Sequence, residues 1–333
     1  MKGGDILRKS FGVISILIAS LFIIPAVYAQ PAEVIPIGQT VGIRLYTDGL
    51  LVIGSSEVNG KSIAKKYDIQ VNDHIEKING QNIDSTEEFS QIVNEHPDGV
   101  RLSVMRDGKN IEIDAVPEKD EDIYRLGLWV RDSTAGIGTV TYYNPQTKEF
   151  AALGHSINDV DTGNILPVKS GNILHCNILS VKKSERGLPG EINGSFDGET
   201  IGDIQINSDI GIFGTMTCSD FDNSEGAIPI AAKDQVETGE AYIVSDAFGN
   251  ENNKYTIKIE KITNSLDKGL IIEITDQRLK DMAGGIVQGM SGSPIIQNGM
   301  LIGAVTHVFV NSPFKGYGTL AENMIDLQQN NSF

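Results

Sequence analysis

The sequence predicts a mainly β protein built from an apolar N-terminal segment, a small α+β domain and a larger all-β domain. The chain holds 36 glycines in 333 residues, and they interrupt short apolar runs, which is typical of strands joined by tight turns. In the second half of the chain, helical periodicity is limited to residues 275–282 and the tail after Ala321. A charged break at residues 117–122 separates the two β-rich regions and marks the domain boundary.

The N-terminal segment has the pattern of an export signal. Basic residues precede an apolar run from Phe11 to Ala29, and small residues end that run. This pattern predicts a secretory signal over residues 1–29, cleaved before Gln30. The run is also close to the minimum length that spans a bilayer, so an uncleaved membrane anchor is the alternative. In both cases we expect the rest of the chain to be exported.

Composition excludes some partners. The formal net charge is 27 − 44 = −17. Because binding to nucleic acid depends on Lys and Arg contacts with phosphates, we expect no nucleic-acid partner. Because the chain is negatively charged, we also expect little attraction to an anionic membrane surface. The two cysteines, Cys176 and Cys218, could form one disulfide or remain free thiols.

Residues 37–117 predict a small α+β domain. Two strand-like runs, Val41–Leu45 and Leu50–Ile53, precede a strand with an Asn-Gly turn, a helix capped at Ser85 and a final hairpin. This order resembles bacterial PDZ domains, although residues 66–73 depart from the usual pattern of small residues.

The PDZ resemblance implies a binding site for peptides. It places the carboxylate-binding loop and the peptide-pairing strand at Gly38, Val41, Gly42 and Ile43. Such a groove binds a peptide or C-terminal tail as an added strand. The alternative is that this domain only packs against its neighbour and binds no ligand.

Residues 124–328 predict the larger all-β domain. Short apolar runs alternate with Gly, Asn, Asp and Ser turns, which suits a pair of small barrels or a large sandwich. Near its end, residues 289–294 read G-M-S-G-S-P and match the nucleophile turn of chymotrypsin-like serine peptidases, G-x-S-G-G/S-P. The match predicts Ser291 as nucleophile, with the backbone N–H groups of Gly289 and Ser291 as oxyanion hole. An Asn298-Gly299 hairpin turn follows.

A serine nucleophile needs a base and a group that orients the base. His155, at the end of an apolar run, is the first candidate base, ahead of His307 and the strand-like His175. His307 is also a candidate for the substrate pocket. For the orienting acid, Asp159, Asp161 and Asp276 remain open. No Cys/His set has zinc spacing, and the turn at residues 158–163 is not an EF-hand loop, so we predict no metal and no cofactor.

Three longer strings resemble the stage IV sporulation protein B peptidases of endospore-forming bacteria. They are L-G-H-S-I-N-D-V-D-T-G at 153–163, G-G-I-V-Q-G-M-S-G-S-P-I-I-Q-N-G at 284–299 and I-G-A-V-T-H-V-F-V-N at 302–311. The resemblance implies a PDZ domain followed by a chymotrypsin-like double β-barrel, and it covers nearly all of the chain after the signal. The resemblance implies that the family's catalytic triad corresponds to His155, Asp276 and Ser291. An acid only 15 residues before the serine is unusual for chymotrypsin-like enzymes.

The same resemblance implies a role. Its members are exported from the forespore into the space between its two membranes, where they cleave themselves and a membrane-bound regulator of an intramembrane metalloprotease. That cleavage leads to activation of a late sigma factor. A non-catalytic PDZ signalling adaptor is the alternative function, and a serine-reactive probe distinguishes the two.

Overall fold

The computed structural model of the chain describes residues 32–217, 226–249 and 253–331. The predicted export segment and Cys218 lie outside these residues. Cys176 is described, and it is a half-buried free thiol.

Strands dominate the described chain, and all elements are numbered in chain order. The first eight strands are β1 (Glu33–Pro36), β2 (Thr40–Ser55), β3 (His74–Ile78), β4 (Gln81–Asn82), β5 (Val100–Arg106), β6 (Lys109–Ala115), β7 (Glu118–Asp120) and β8 (Ile123–Arg125). The next six are β9 (Leu128–Tyr143), β10 (Glu149–Ala152), β11 (Ser170–Lys182), β12 (Gly190–Ser208), β13 (Gly211–Met216) and β14 (Ile228–Pro229). The last seven are β15 (Gly239–Ser245), β16 (Asn253–Ile262), β17 (Leu270–Ile274), β18 (Val287–Gln288), β19 (Pro294–Gln297), β20 (Met300–Phe309) and β21 (Ser312–Leu320). The helices are α1 (Ile63–Lys66), α2 (Thr86–Glu95), α3 (Gln277–Ala283) and α4 (Ala321–Asn330), with a 3-10 turn at Lys233–Gln235.

Six antiparallel strands close a first barrel in the order β2-β9-β10-β13-β12-β11. The ring closes because β2 pairs with β9 on one edge and with β11 on the other. Apolar side chains that alternate along these strands fill its core, among them the fully buried Val140, Phe150 and Ile173.

A second closed barrel has the order β15-β16-β17-β21-β20-β19. Its core includes the fully buried Ile243, Ile272 and Ile295, and α3 adds Leu279 and Ala283 to it. Two closed rings confirm the predicted mainly β, double-barrel fold and rule out the sandwich alternative.

A third core belongs to an α+β unit that lies between β2 and β9 in the chain. Its buried side chains run from Leu50 to Leu126, with β3, β5 and β6 forming the sheet. Helix α2 covers this sheet with Phe89 and Val93, and it begins at the predicted cap, where Ser85 accepts a hydrogen bond from Glu88 N at 3.1 Å.

The long strands β2 and β9 are shared by the first barrel and the α+β unit. Val41, Gly42 and Ile43 pair with β9 on one edge and with β11 on the other. A strand with both edges paired cannot accept a peptide as a further strand. The predicted peptide-binding loop is therefore wrong: these residues belong to the first barrel. Gly38 turns the chain with φ +73° where it meets the carbonyl of Val244 on the second barrel.

Hydrogen bonds join the two barrels. Asp246 Oδ1 on the second barrel accepts bonds from the N–H and hydroxyl of Thr40 at 2.8 and 2.6 Å. Tyr142 in the first barrel donates to Gln328 of α4 at 2.9 Å. None of the helices in the described part of the chain is both long and apolar enough to cross a bilayer.

Candidate active site

The turn around Ser291 is built on two glycines in the left-handed region. Gly289 has φ +99° and Gly292 has φ +98°. Any side chain at position 292 would collide with the carbonyl oxygen of Thr139 in the first barrel. Between the glycines, Met290 is fully buried in the second core. Met290 thus anchors the turn to one barrel while Gly292 lets it touch the other.

The backbone of this turn is set up to bind an oxyanion. Thr139 holds it from the first barrel: its hydroxyl donates to Gly289 O at 2.7 Å, and its N–H donates to Ser291 O at 2.9 Å. Among the described residues, no turn or loop hydrogen bond involves the Ser291 N–H, which is therefore available for a negatively charged oxygen. The Gly289 N–H is the second donor of the predicted oxyanion hole.

The Ser291 hydroxyl donates to the carbonyl oxygen of Thr306 at 2.6 Å. This bond keeps the nucleophile in a resting position. To attack a substrate, the hydroxyl must leave Thr306 and give its proton to a base.

His155 stands directly after β10 on a sharply turned segment. Leu153 and Gly154 have φ of +68° and +71°. A left-handed leucine is strained by about 1–2 kcal/mol, and burial of its side chain against Gly138 offsets that strain. Beyond the histidine, the Asn207 side chain holds both the N–H and the carbonyl of Ile157 at 2.8 Å. The backbone is thereby fixed on both sides of His155.

The imidazole of His155 is in the tautomer that a general base requires. Its Nδ1 lies 2.8 Å from the carbonyl oxygen of Ser156. Because a carbonyl only accepts, Nδ1 carries the hydrogen and Nε2 keeps a free lone pair. Burial lowers the pKa of His155, so the ring is neutral at neutral pH.

His307 lies against His155. The two ring centroids are 4.6 Å apart, and the ring planes are tilted by 37°. Removal from water lowers the pKa of His307, and the neighbouring His155 lowers it further. Both imidazoles are therefore neutral together. His175, the other candidate base, lies on β11 opposite Val41.

Asp276 lies at the start of α3 and has other partners. Its carboxylate caps the helix through Arg278 N at 2.9 Å and pairs with the Arg278 guanidinium at 2.8 Å. It also accepts from Thr256 N at 3.3 Å. The Arg278 hydrogen bonds lower the pKa of Asp276. The carboxylate makes no contact with His155, so this arrangement does not provide the orienting acid that the resemblance implies.

The other two candidate acids are also bound elsewhere. Asp159 and Asp161 lie 2.7 and 2.6 Å from the guanidinium of Arg131. Asp159 further accepts the N–H groups of Asp161 and Thr162, as in an Asx turn. The structure brings Ser291, His155 and His307 together and leaves all three aspartates outside that group.

These three side chains share a cleft of about 450 Å³ between the barrels. Its described lining contains no Asp, Glu, Lys or Arg. Apolar side chains form much of the wall, including Ile137, Pro189, Ile286, Val308 and Val310. The cleft thus has the nucleophile and two neutral imidazoles in apolar surroundings.

The β11–β12 hairpin reaches from the first barrel to the segment before the nucleophile. Ser184 near its tip is buried; its hydroxyl donates to Ile286 O at 2.7 Å and accepts from Gly190 N at 2.8 Å. Its N–H donates to Ala283 O at 2.7 Å. Strand β12 then pairs with β18 in parallel. The hairpin therefore supports the chain that leads to Gly289.

Comparison with known families identifies the chain. The model of the SpoIVB peptidase S55 family matches residues 122–325, more than half of the sequence. The chain belongs to this family. The matched residues include both His155 and Ser291.

Solved structures with a similar arrangement are proteases of low sequence identity. The HtrA-type protease AlgW with a tripeptide is 15% identical, with TM-score 0.35, over 59% of this chain and 56% of that chain. A serine-to-alanine variant of AlgW with a decapeptide is 10% identical, with TM-score 0.37, over 87% of this chain and 62% of that chain. The active form of the Rv3671c protease from M. tuberculosis is 14% identical, with TM-score 0.32, over 59% and 74%. The chain thus covers little more than half of the AlgW chains. No curated protein matches the sequence.

Several residues that build this SpoIVB-family site gave no sequence signal. Thr139, Ser184 and Asn207 are single polar residues in strand or loop sequence, and their roles depend on contacts with distant segments. For Thr306, the sequence signal was its position beside the candidate residue His307. Among the described residues, no group of His, Cys, Asp or Glu is arranged to hold a metal ion.

Proposed function

We propose that this chain is a serine endopeptidase of sporulation signalling that cleaves itself and a membrane-bound regulator of an intramembrane metalloprotease. The observation that carries the catalytic part is the common cleft that Ser291 and His155 line together with Gly289. Membership of the SpoIVB peptidase family supports the signalling part.

The chemistry is acyl transfer in two halves. Ser291 Oγ attacks the substrate carbonyl carbon, and its proton passes to His155 Nε2. The two N–H groups stabilise the oxyanion, and the imidazolium then protonates the leaving amine as the C–N bond breaks. Water, activated by the same imidazole, hydrolyses the acyl-enzyme and restores the Ser291 hydroxyl.

The cleft lining supports a preference for apolar substrate side chains. Val308 follows the Thr306–His307 pair, and Ile286 packs across the same cleft near Gly316. With no charged residue in the described lining, a charged substrate side chain would lose hydration without gaining a partner. We therefore expect the cleavage sites to have uncharged apolar residues next to the scissile bond.

The α+β unit is the proposed docking site for a peptide or protein tail. The corrected position of Val41–Ile43 leaves a different groove, of about 680 Å³, between α2 and residues 123–130. Trp129 at this groove is 58% exposed. We expect Trp129→Ala to weaken cleavage of a protein substrate while leaving cleavage of a short peptide unchanged.

The proposed place of action is the space between the two forespore membranes. The N-terminal pattern supports export there, with residues 1–29 as signal or anchor. Cleavage of the membrane-bound regulator would then lead to activation of a late sigma factor.

A time course of intact mass tests the self-cleaving function. We expect the purified wild-type chain to shorten to defined fragments and Ser291→Ala to remain intact. Fragment ends would show whether apolar residues flank the cleaved bonds. Identical shortening of both chains would contradict self-cleavage. If neither chain shortens and neither reacts with a fluorophosphonate, the adaptor alternative would be favoured.

A further inference from the structure

The loop that follows the catalytic histidine is docked on the α+β unit. Residues 156–169, the base loop, lead from this histidine to β11. Asn164 of the base loop donates to Asn72 Oδ1 at 2.8 Å, and Lys169 lies 2.5 Å from Asp84. Both contacts are exposed to water, which weakens them.

A third contact of the base loop is with Arg131 and is largely buried. Arg131 lies on β9 next to Val130, which packs against the core of the α+β unit. Its Nε lies 2.7 Å from Asp159 Oδ2, and its Nη2 donates to Asp161 Oδ2 at 2.6 Å. The Asp159 side chain is completely buried. Loss of the arginine would leave that carboxylate uncompensated, which disturbs a structure far more than loss of an exposed pair.

Asp159 connects this contact to the backbone beside the histidine. Its carboxylate accepts two backbone N–H groups of the base loop, at 3.0 and 2.8 Å, so the side chain and the loop move together. The loop then folds back, and Leu166 N donates to Ile157 O at 3.1 Å. Ile157 directly follows Ser156, whose carbonyl accepts from His155 Nδ1. The contact with β9 therefore reaches the carbonyl that fixes the imidazole.

We propose that Arg131 is a positioning residue for the catalytic base. By binding Asp159 and Asp161 together, it holds the base loop in the shape that places the His155 ring in the cleft. The inference rests on the proposed function and adds a second role for the α+β unit, which supports the active site besides docking a tail. Arg131 is not among the residues that line the cleft, so its effect is on kcat through the base.

Cleavage of a short apolar peptide by Arg131 variants tests this role. We expect Arg131→Ala to lower kcat about 10- to 100-fold with little change in KM, since misplacing a base by about 1 Å costs rate rather than binding. Labelling of Ser291 by a fluorophosphonate should slow by a similar factor. Free guanidinium ion, at a concentration too low to denature the protein, should restore part of the kcat. Arg131→Lys should be intermediate, because an ammonium lacks the planar fork that binds two carboxylates.

Arg101→Ala is the matched control, because Arg101 pairs with Asp114 in the same unit and both side chains are exposed. It should leave kcat and labelling unchanged, and thermal unfolding shows which variants are folded. The proposal would be overturned by wild-type kcat in folded Arg131→Ala or Arg131→Lys, or by a rise in KM alone. A loss of kcat that guanidinium does not restore and that follows loss of stability would also overturn it. Failure of the proposed function is distinct, since the wild-type chain would then react with a fluorophosphonate no faster than Ser291→Ala does.

Discussion

Ser291 and His155 are each held by a backbone carbonyl rather than by each other. The serine donates to Thr306 and the histidine to Ser156. Both contacts are with neutral acceptors, and burial lowers the pKa of His155, so its ring is neutral at rest. Ser291 could be predicted from sequence because its turn needs glycines at fixed positions, which produces a local motif. The partner of His155 could not, since Asp276, Asp159 and Asp161 are bound to arginines whose positions only the folded chain determines.

The lowered pKa of His155 predicts the pH profile. Only the neutral imidazole accepts the Ser291 proton, so activity falls as pH drops through the pKa of His155. Because burial lowers that pKa from the ordinary 6.5, the acid limb of kcat/KM should lie below pH 6.5. Initial rates across a pH series, with Ser291→Ala as blank, would measure it. An acid limb of kcat/KM at or above pH 6.5 would contradict this prediction and would mean that water reaches the His155 ring.

Helix α3 and the β11–β12 hairpin are the elements that support the chain leading into the nucleophile turn. Helix α3 ends at Gly284 with φ +68°, where any side chain would collide with the Ser184 carbonyl. The helix is thus locked to the hairpin tip at one end and capped by Asp276 at the other. From this arrangement we expect Asp276 to affect catalysis through the stability of α3.

Variants at Asp276 distinguish a cap from a catalytic acid. Asp276→Ala removes the cap and the Arg278 pair and should cost about 1–2 kcal/mol of unfolding free energy. Asp276→Asn keeps a capping oxygen and should be milder, with loss of activity that follows loss of stability in both. Denaturant unfolding and peptide cleavage on the same samples would show this. A fully stable but inactive Asp276→Asn would instead identify Asp276 as the orienting acid.

Substitution of Ser184 tests whether the β11–β12 hairpin supports the nucleophile turn. Ser184→Ala leaves the Ile286 carbonyl and the Gly190 N–H without their buried partner, at about 1–3 kcal/mol. We expect lower stability and slower peptide cleavage, measured by thermal unfolding and kcat. Ser180→Ala, on an exposed part of the same hairpin, is the control and should change neither. Full activity in Ser184→Ala would show that the hairpin does not support the turn.

At the scale of the whole molecule, the active site is formed by contacts between two barrels. The mainly β class could be predicted from turn spacing and apolar alternation. Those patterns left a barrel pair and a sandwich open, and the double barrel was predicted only from the family resemblance. The assignment of β2 could not, because strand pattern does not reveal which strands will be neighbours. Residues 40–46 read equally well as a PDZ strand or a barrel strand, and only pairing with β9 and β11 decides between them.

Thr139 links the barrels at the nucleophile turn and provides the test at this scale. Thr139→Val removes the bond to Gly289 O and should lower kcat about tenfold by loosening the oxyanion site, with about 1–3 kcal/mol of lost stability. Thr141→Val is a matched control, because the Thr141 hydroxyl is buried without a partner among the described residues. Comparable kcat values for the two variants would contradict the role given to Thr139.

The most direct test of the account is to map the residue that a fluorophosphonate modifies. The purified chain would be labelled, digested and sequenced by mass spectrometry, in wild type, Ser291→Ala and His155→Ala. The account predicts one adduct, on Ser291, absent in Ser291→Ala and formed far more slowly in His155→Ala. An adduct on another residue, or labelling of Ser291 at the same rate without His155, would contradict it.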